Sequence, residues 1–382
     1  MAKRSKSEAR AHKARATGRP SPRPALSSRS LTLTAYAAPP PGYRGFYDGS
    51  PWNRLTPDGV SEIHNQGGTV LGSSRGGFDA DKILDAAASR GINILYVIGG
   101  DGTHRGILEL VRISTARRMR IVIAGVPKTI DNDIPIIDKT FGFDTAVEKA
   151  VGPIMSAHVE AKAAPYGVGL VKLMGRSAGF IAAHASMASQ DVNLVLVPEA
   201  PWRMDKVLEW LEGRLARRGH AVIVVAEGAE SEESKFLKEE ECRTPVTSAA
   251  SPVAGDWAAH GGPRKDESGN VLPDDVGQYL KDQINKHFKA LGKPANVKYI
   301  DPSYIIRSSP PNASDSNLCT NLAFNVVHGA LAGYTGFTVG TVENHFVILP
   351  IAVLSVMKPR TIDTSGRFYA RLMASTGQPS CM

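Results

Sequence analysis

From residue 79 onward the apolar positions fall into two alternating patterns. Short, nearly continuous apolar runs occupy Ile92–Ile98, Ile121–Val126, Val168–Leu173, Val192–Val197, Ala221–Val225 and Val297–Ile300. Between them the spacing is helical, over Asp79–Arg90, Thr103–Arg117, Asp144–Ala161, Ser177–Ala188, Lys206–Arg218, Asp275–Leu291 and Ser316–Leu331. A strand that is apolar along its whole length is covered on both faces, and strands alternating with helices build parallel sheets. The pattern predicts an α/β chain with two doubly wound domains and mainly parallel sheets. Its 382 residues are enough for two domains of ordinary size. No apolar run reaches the roughly 18 residues a membrane-spanning helix needs, so no membrane association is expected.

Two stretches break the alternation. Residues 1–41 are rich in Arg, Ser, Ala and Pro and poor in large apolar residues, and they read as a disordered tail. Nine basic residues and one acid lie in positions 1–29, which accounts for the whole formal net charge of +8. The remainder is balanced, which removes nucleic acid as a partner. A basic, Ser-rich, acid-poor start is also how an organelle transit peptide reads, so a plastid location stands as the alternative to the cytoplasm. The second break, 229–269, combines an acidic Ser231-Glu232-Glu233-Ser234 segment with a Ser/Ala/Pro/Gly mixture and reads as an exposed, mobile insertion. Cys242, Cys319 and Cys381 have no paired spacing, which excludes a disulfide framework or zinc site and fits a reducing compartment.

The candidate chemistry sits where strands end. Gly99-Gly100-Asp101-Gly102-Thr103 follows the run Ile92–Ile98 and opens a helix. Glycines let a backbone approach a polyphosphate, and the helix start offers free N–H groups to it. Asp101 is placed to reach a divalent cation carried by that phosphate. The next strand ends in Pro127-Lys128-Thr129-Ile130-Asp131-Asn132-Asp133. Neighbouring strands would then deliver carboxylates to one edge of a sheet, where open α/β sheets bind ligands. A short strand within Gly67–Gly72, ending in Gly72-Ser73-Ser74-Arg75-Gly76, would place Arg75 near phosphate; read alone, it is an ordinary surface arginine.

These segments, with Phe141-Gly142-Phe143-Asp144-Thr145-Ala146 and Met174-Gly175-Arg176, resemble the 6-phosphofructokinases, in particular their plant-like, long-chain branch. The resemblance runs from about Gly42 to the C-terminus. It implies phosphorylation of fructose 6-phosphate by ATP with Mg²⁺, and a homo-oligomer, a tetramer. Asp131 matches the base on the sugar 1-hydroxyl, with Lys128 and Thr129 in the same loop. Asp101 and Asp133 match partners of the cation, with Asp101 as the metal-facing acid. Arg75, Gly76, Gly100, Gly102 and Thr103 fall at the donor phosphates. Thr129, Ile130, Met174, Gly175, Arg176 and Glu227 fall at the sugar. Lys298, Tyr304 and Arg307 stand where related bacterial enzymes place Arg, His and Arg around the 6-phosphate; lysine offers a point charge instead of a fork, which changes that geometry.

Gly102 is the residue of ATP users, where pyrophosphate users carry Asp, while Lys128 also occurs in pyrophosphate enzymes. ATP is the expected donor. The implied division is a nucleotide-phosphate domain over 42–151 with part of 308–342 returning to it, a sugar-phosphate domain over 152–307, and a C-terminal extension over 343–382. The family opens with an apolar strand, Gly-Gly and Pro-Gly-x-Asn. The Gly-Gly pairs here, at 67, 76, 99 and 261, do not continue in that way. The first strand and half of the phosphate cradle are therefore expected to be missing, and the chain is expected to bind ATP weakly. That departure keeps a second reading open, a catalytically impaired or non-catalytic regulatory subunit. A kinase of the Gly-Gly-Asp-Gly type acting on NAD or lipid is a third, against which the Met-Gly-Arg and Tyr-Ile-Ile-Arg segments argue.

Overall fold

The computed structural model describes residues 36–74, 76–233 and 275–379. Arg75 and most of the 229–269 insertion lie outside the described residues, as do residues 1–35. Strand β1 (Tyr36–Ala38) pairs antiparallel with β2 (Asn53–Leu55). The basic tail therefore does not extend to residue 41: Ala38 is buried and the chain is already ordered there. The short strand expected within Gly67–Gly72 does not form. Gly68 and Gly72 both adopt left-handed φ values, of 74° and 66°, and turn the chain where a strand would have to run straight.

The first sheet has four strands in the order His345–Pro350 (β10), Phe337–Val342 (β9), Val122–Pro127 (β4) and Ile94–Gly99 (β3). Helix α1 (Ala80–Ser89) leads into β3 (Ile94–Gly99), then α2 (Asp101–Ala116) and β4 (Val122–Pro127), with β3 and β4 parallel. Alternate residues of this sheet enter different cores. Ile121 and Ile123 pack with Ile83, Leu84, Ile107 and Leu110, whereas Val122 and Ala124 pack with residues of a later helix. Both faces are thus covered, as the apolar runs predict. Asp79 caps α1 by accepting from the Lys82 N–H at 3.1 Å.

The second sheet is wholly parallel, in the order Leu194–Leu196 (β6), His220–Ala226 (β7), Gly167–Leu173 (β5) and Asn296–Ile300 (β8). Helix α3 (Phe143–Ala163) enters it, followed by β5 (Gly167–Leu173), α4 (Phe180–Ser189), β6 (Leu194–Leu196), α5 (Met204–Arg218) and β7 (His220–Ala226). Helix α6 (Val276–Ala290) precedes β8 (Asn296–Ile300) and the short α7 (Ser303–Arg307). The central strands β5 and β7 are almost completely buried. Ala229 and Ser231 are buried as well, the Trp202 indole N–H donating to the Ala229 carbonyl at 3.3 Å. The expected insertion is therefore only partly exposed at its start: Ala229 and Ser231 are buried, whereas Glu232 is exposed.

The chain then returns. Helix α8 (Ala313–Leu331) packs on the first sheet and leads to β9 (Phe337–Val342), which runs parallel to β4. Strand β10 (His345–Pro350) folds back antiparallel on β9. The two residues between them, Glu343 and Asn344, both have positive φ, 50° and 62°. That is the tight hairpin whose twist matches its strands. Helix α9 (Ile351–Ser355) packs against α2, and α10 (Arg367–Thr376) packs against α4. Residues 343–382 are therefore not an appendage up to residue 379: they close one sheet and cover part of the other.

Candidate functional site

A cleft of about 3300 Å³ opens beside the ends of the strands of both sheets. Strands β3 and β4 lie in register with Gly99 opposite Pro127, and the Lys128 N–H donates to the Gly99 carbonyl at 2.8 Å. The loops after β3 and β4 thus leave the sheet tied together at their base. A Cβ at Gly99 would fall 2.2 Å from the Thr103 hydroxyl oxygen, so no side chain fits there. Gly102 is the opposite case, with no heavy atom within 4 Å of where its Cβ would stand. It forms part of the cleft wall with Gly99, Gly100, Asp101 and Thr103.

Below this turn His104 is buried, its Nδ1 lying 3.0 Å from the Gly100 carbonyl and its Nε2 3.1 Å from the Thr338 hydroxyl. A carbonyl only accepts, so the Nδ1 carries the proton. Burial holds the imidazole below its usual range, which keeps it neutral. His104 therefore clamps the glycine turn to β9. Sequence reasoning missed it, since a lone histidine in a helix carries no pattern.

The loop after β4 turns sharply. Asn132 takes a left-handed φ of 57° and is buried, its side-chain oxygen accepting from the Thr140 N–H at 3.0 Å. That conformation points Asp131 and Asp133 into the cleft on either side of a buried hinge. The Thr129 hydroxyl donates to Asp133 at 3.2 Å and accepts from the Asp131 N–H at 3.2 Å. Burial, then the negative charges of Asp133 and Glu227, push the Asp131 carboxyl up to about 6. The Arg176 N–H and the Arg307 charge pull the other way and do not compensate. Burial and the nearby Asp101 also raise Asp133.

The second sheet supplies the facing wall. Met174 and Arg176 follow β5, and Glu227 follows β7, its N–H bonded to the Leu173 carbonyl at 2.8 Å. Gly175 has a φ of 130°, where only glycine is comfortable, and its carbonyl accepts from the Gly228 N–H at 3.1 Å. Arg307 at the end of α7 also lines the cleft.

The expected trio around the sugar 6-phosphate is only partly brought together. Tyr304 is 83% exposed and Ile306 is buried, so the turn of α7 sends Arg307 inward and Tyr304 out. Lys298 is half-buried on the edge strand β8, opposite Gly169, and does not line the cleft either. Gly76 does line it, at a positive φ of 71°.

A buried carboxylate that sequence reasoning overlooked organises the far side. Helix α3 begins at Gly142 with no side-chain cap of its own. Asp315, from α8, accepts instead from the N–H groups of Gly142 and Thr145 at 2.7 Å each, and from the Thr145 hydroxyl at 2.6 Å. Asn312 caps α8 in turn, accepting from the Asp315 N–H at 3.0 Å. The signal available in the sequence was the Asn312-x-x-Asp315 start of an apolar helical run.

Among the described residues no group of three or more His, Cys, Asp or Glu could hold a metal ion. A hard divalent cation here would rest on one or two carboxylates, water and a bound phosphate, the usual arrangement for Mg²⁺. Asp101 and Asp133 suit that role, because their mutual repulsion is the kind a cation relieves. No helix among the described residues is long and apolar enough to cross a membrane.

Two mainly parallel sheets, with a glycine turn at a helix start and paired acids facing Arg176, Glu227 and Arg307 across one cleft, define a doubly wound α/β protein. The chain belongs to the phosphofructokinase family: the family description "Phosphofructokinase" matches residues 28–330. It is 46% identical over 344 residues to "ATP-dependent 6-phosphofructokinase 7" of Arabidopsis thaliana, an alignment covering 89% of this chain and 66% of that protein. It is 42% identical over 352 residues to the ATP-dependent 6-phosphofructokinase of Borreliella burgdorferi, covering 89% and 73%. A further relative, "ATP-dependent 6-phosphofructokinase 4, chloroplastic", also of Arabidopsis thaliana, is 46% identical, and the chain spans 60% of its length. The chain thus spans about two thirds or less of the Arabidopsis relatives cited. In fold it is similar to a pyrophosphate-dependent phosphofructokinase from Marinobacter aquaeolei, with a TM-score of 0.68 at 19% identity, covering 87% of this chain and 78% of that one.

Proposed function

We propose that this chain transfers the γ-phosphoryl group of ATP to the 1-hydroxyl of fructose 6-phosphate, giving fructose 1,6-bisphosphate. The carrying observation is the environment of Asp131. A carboxyl pushed up to about 6 is a stronger base than an ordinary aspartate and is still mostly ionised at neutral pH. It stands between the glycine turn of the first sheet and the Arg176, Glu227 and Arg307 wall of the second.

In this reading Asp131 accepts the hydroxyl proton as the oxygen attacks the γ-phosphorus, and the bond from that phosphorus to the bridging oxygen breaks to release ADP. Arg307 and Arg176 hold the sugar phosphate, and Glu227 accepts from sugar hydroxyls. The N–H groups at the start of α2 face the donor phosphates, with Lys128 and Thr129 beside them. Asp101 and Asp133 would hold Mg²⁺, which when bound would screen the charge of the donor phosphates. The first sheet then carries the donor and the second the acceptor. Open space at Gly102 supports ATP, whose larger phosphate chain an aspartate there would obstruct. Exposed apolar residues on α3, Met155 and Val159, support assembly with further copies. The cytoplasm is the proposed location, with the plastid as the alternative that the chloroplastic relative keeps open.

The test is a coupled assay with fructose 6-phosphate and either ATP or pyrophosphate, with and without Mg²⁺. Product formation with ATP and Mg²⁺ alone is expected. Turnover with pyrophosphate instead would overturn the donor assignment. Tight sugar-phosphate binding without turnover would favour the regulatory-subunit reading.

A further inference from the structure

The segment after α9 carries a residue that no motif singled out. The Arg360 N–H donates to the Asp133 carbonyl at 2.7 Å. Its guanidinium donates to the carbonyls of Ile137 at 3.1 Å and Asp138 at 2.8 Å. The same guanidinium lies 5.1 Å from the ring centre of Phe180, the first residue of α4. One residue therefore binds the loop that carries Asp131 and rests on the first turn of a helix from the other sheet.

That loop needs holding. Asn132 and Ile136 both have left-handed φ values, 57° and 70°, and for a β-branched residue such as Ile136 this is a strained conformation. The hairpin end of β9 and β10 grips one side: the Asp138 N–H donates to the Thr341 carbonyl at 2.8 Å, and the Asn344 N–H to the Asp138 carboxylate at 2.9 Å. Arg360 grips the other side. The strap bearing Arg360 is itself anchored on the second sheet. The Ile362 N–H donates to Glu199 at 2.9 Å, Phe368 stacks on His184 at 4.6 Å, and Gln378 bonds both the N–H and the carbonyl of Val195.

We propose that Arg360 is a positioning residue for phosphoryl transfer, fixing the distance and angle between Asp131 and the wall that holds the acceptor sugar. The proposal rests on Asp131 being the base. Arg360 touches no reacting atom; it acts through the 131–138 backbone. Its side chain is exposed, so truncating it opens no core cavity and should cost little stability. A displaced base costs rate steeply, on the order of 10²-fold for a misplacement of about 1 Å.

The experiment compares Arg360→Ala, Arg360→Met and Arg360→Lys with the unaltered chain, measuring kcat, KM for each substrate and the melting curve. Arg360→Ala and Arg360→Met are expected to lower kcat by roughly 10–100-fold. KM for ATP should change less than about threefold. Arg360→Lys, with one donor head in place of a fork, should recover part of kcat. Asp131→Asn and the double variant Asp131→Asn/Arg360→Ala complete a cycle. If Arg360 acts through Asp131, its removal has little further effect in the Asp131→Asn background. Full kcat in a normally melting Arg360→Met chain would overturn the proposal while leaving the base assignment intact. Near-normal turnover in Asp131→Asn would overturn the base assignment and the proposal with it. Should Arg360→Ala fail to fold, Arg360→Met and Arg360→Lys, which keep the aliphatic stem, carry the comparison.

Discussion

The main-chain N–H of Arg176 donates to the carboxyl of Asp131. The first residue follows β5 of the second sheet and the other follows β4 of the first, so this bond joins the two walls of the cleft. It stabilises the charged form of Asp131 against burial and against two neighbouring acids, yet burial prevails and the carboxyl stays near 6.

The pH dependence of turnover follows from that balance. Asp131 works as a base only when ionised. With its carboxyl raised from 3.8 to about 6, kcat should be near its plateau above neutral pH and fall about tenfold per unit below 6. A profile measured between pH 5 and 8 at saturating substrates checks this. A plateau extending unbroken to pH 5 would count against Asp131 as the base.

Replacing the carboxylate gives the complementary result. Asp131→Asn should lower kcat by roughly 10²–10⁴-fold, the usual worth of a general base, and leave fructose 6-phosphate binding nearly intact. Loss of less than about tenfold in kcat would exclude it from that role.

Glu227→Gln separates electrostatics from contact. Glu227 raises Asp131 through its negative charge, so neutralising it should lower the Asp131 carboxyl and move the acid limb of the kcat profile to lower pH. KM for the sugar should rise in the same variant, because an acceptor for its hydroxyls is weakened. An acid limb that moves upward would show that Glu227 does not repel Asp131.

At Gly102 the open space makes a clean substitution possible. A Cβ there meets no heavy atom within 4 Å, and an acid in the first turn of α2 favours the helix start. Gly102→Asp should therefore melt like the unaltered chain while KM for ATP rises and KM for the sugar holds. Unchanged ATP kinetics would show that Gly102 does not face the donor.

Asp315 tests architecture alone. Asp315→Ala removes three hydrogen bonds to a buried carboxylate and leaves the start of α3 without a cap. A loss of about 3 kcal/mol is expected, read from denaturant unfolding monitored by circular dichroism. A loss below about 0.5 kcal/mol would mean that water replaces the carboxylate at no cost.

What the sequence determined by itself is local in character. The nearly continuous apolar runs within 92–98, 121–126 and 168–173 give the strands Ile94–Gly99, Val122–Pro127 and Gly167–Leu173, because such runs are best buried from both faces. Gly99–Thr103 and Lys128–Asp133 could be placed at strand ends because turn chemistry is written in adjacent residues. The β9–β10 hairpin was legible in principle from Glu343-Asn344 between two apolar runs, but its polar edge residues masked the period. Other features had no local trace. Tyr304 and Arg307 stand three positions apart, yet one faces solvent and the other the cleft, because the packing of Ile306 sets the rotation of α7. Asp315 meets the start of α3 across 170 positions of chain, and Arg360 meets the Asp131 loop across more than 220. A carboxylate becomes a helix cap, or an arginine a brace for a loop, only when distant backbone groups arrive unpaired beside it. The near-neutral carboxyl of Asp131 is the same kind of outcome, since its neighbours Glu227, Arg176 and Arg307 come from a different sheet. Those juxtapositions exist only once both sheets have folded and closed on each other.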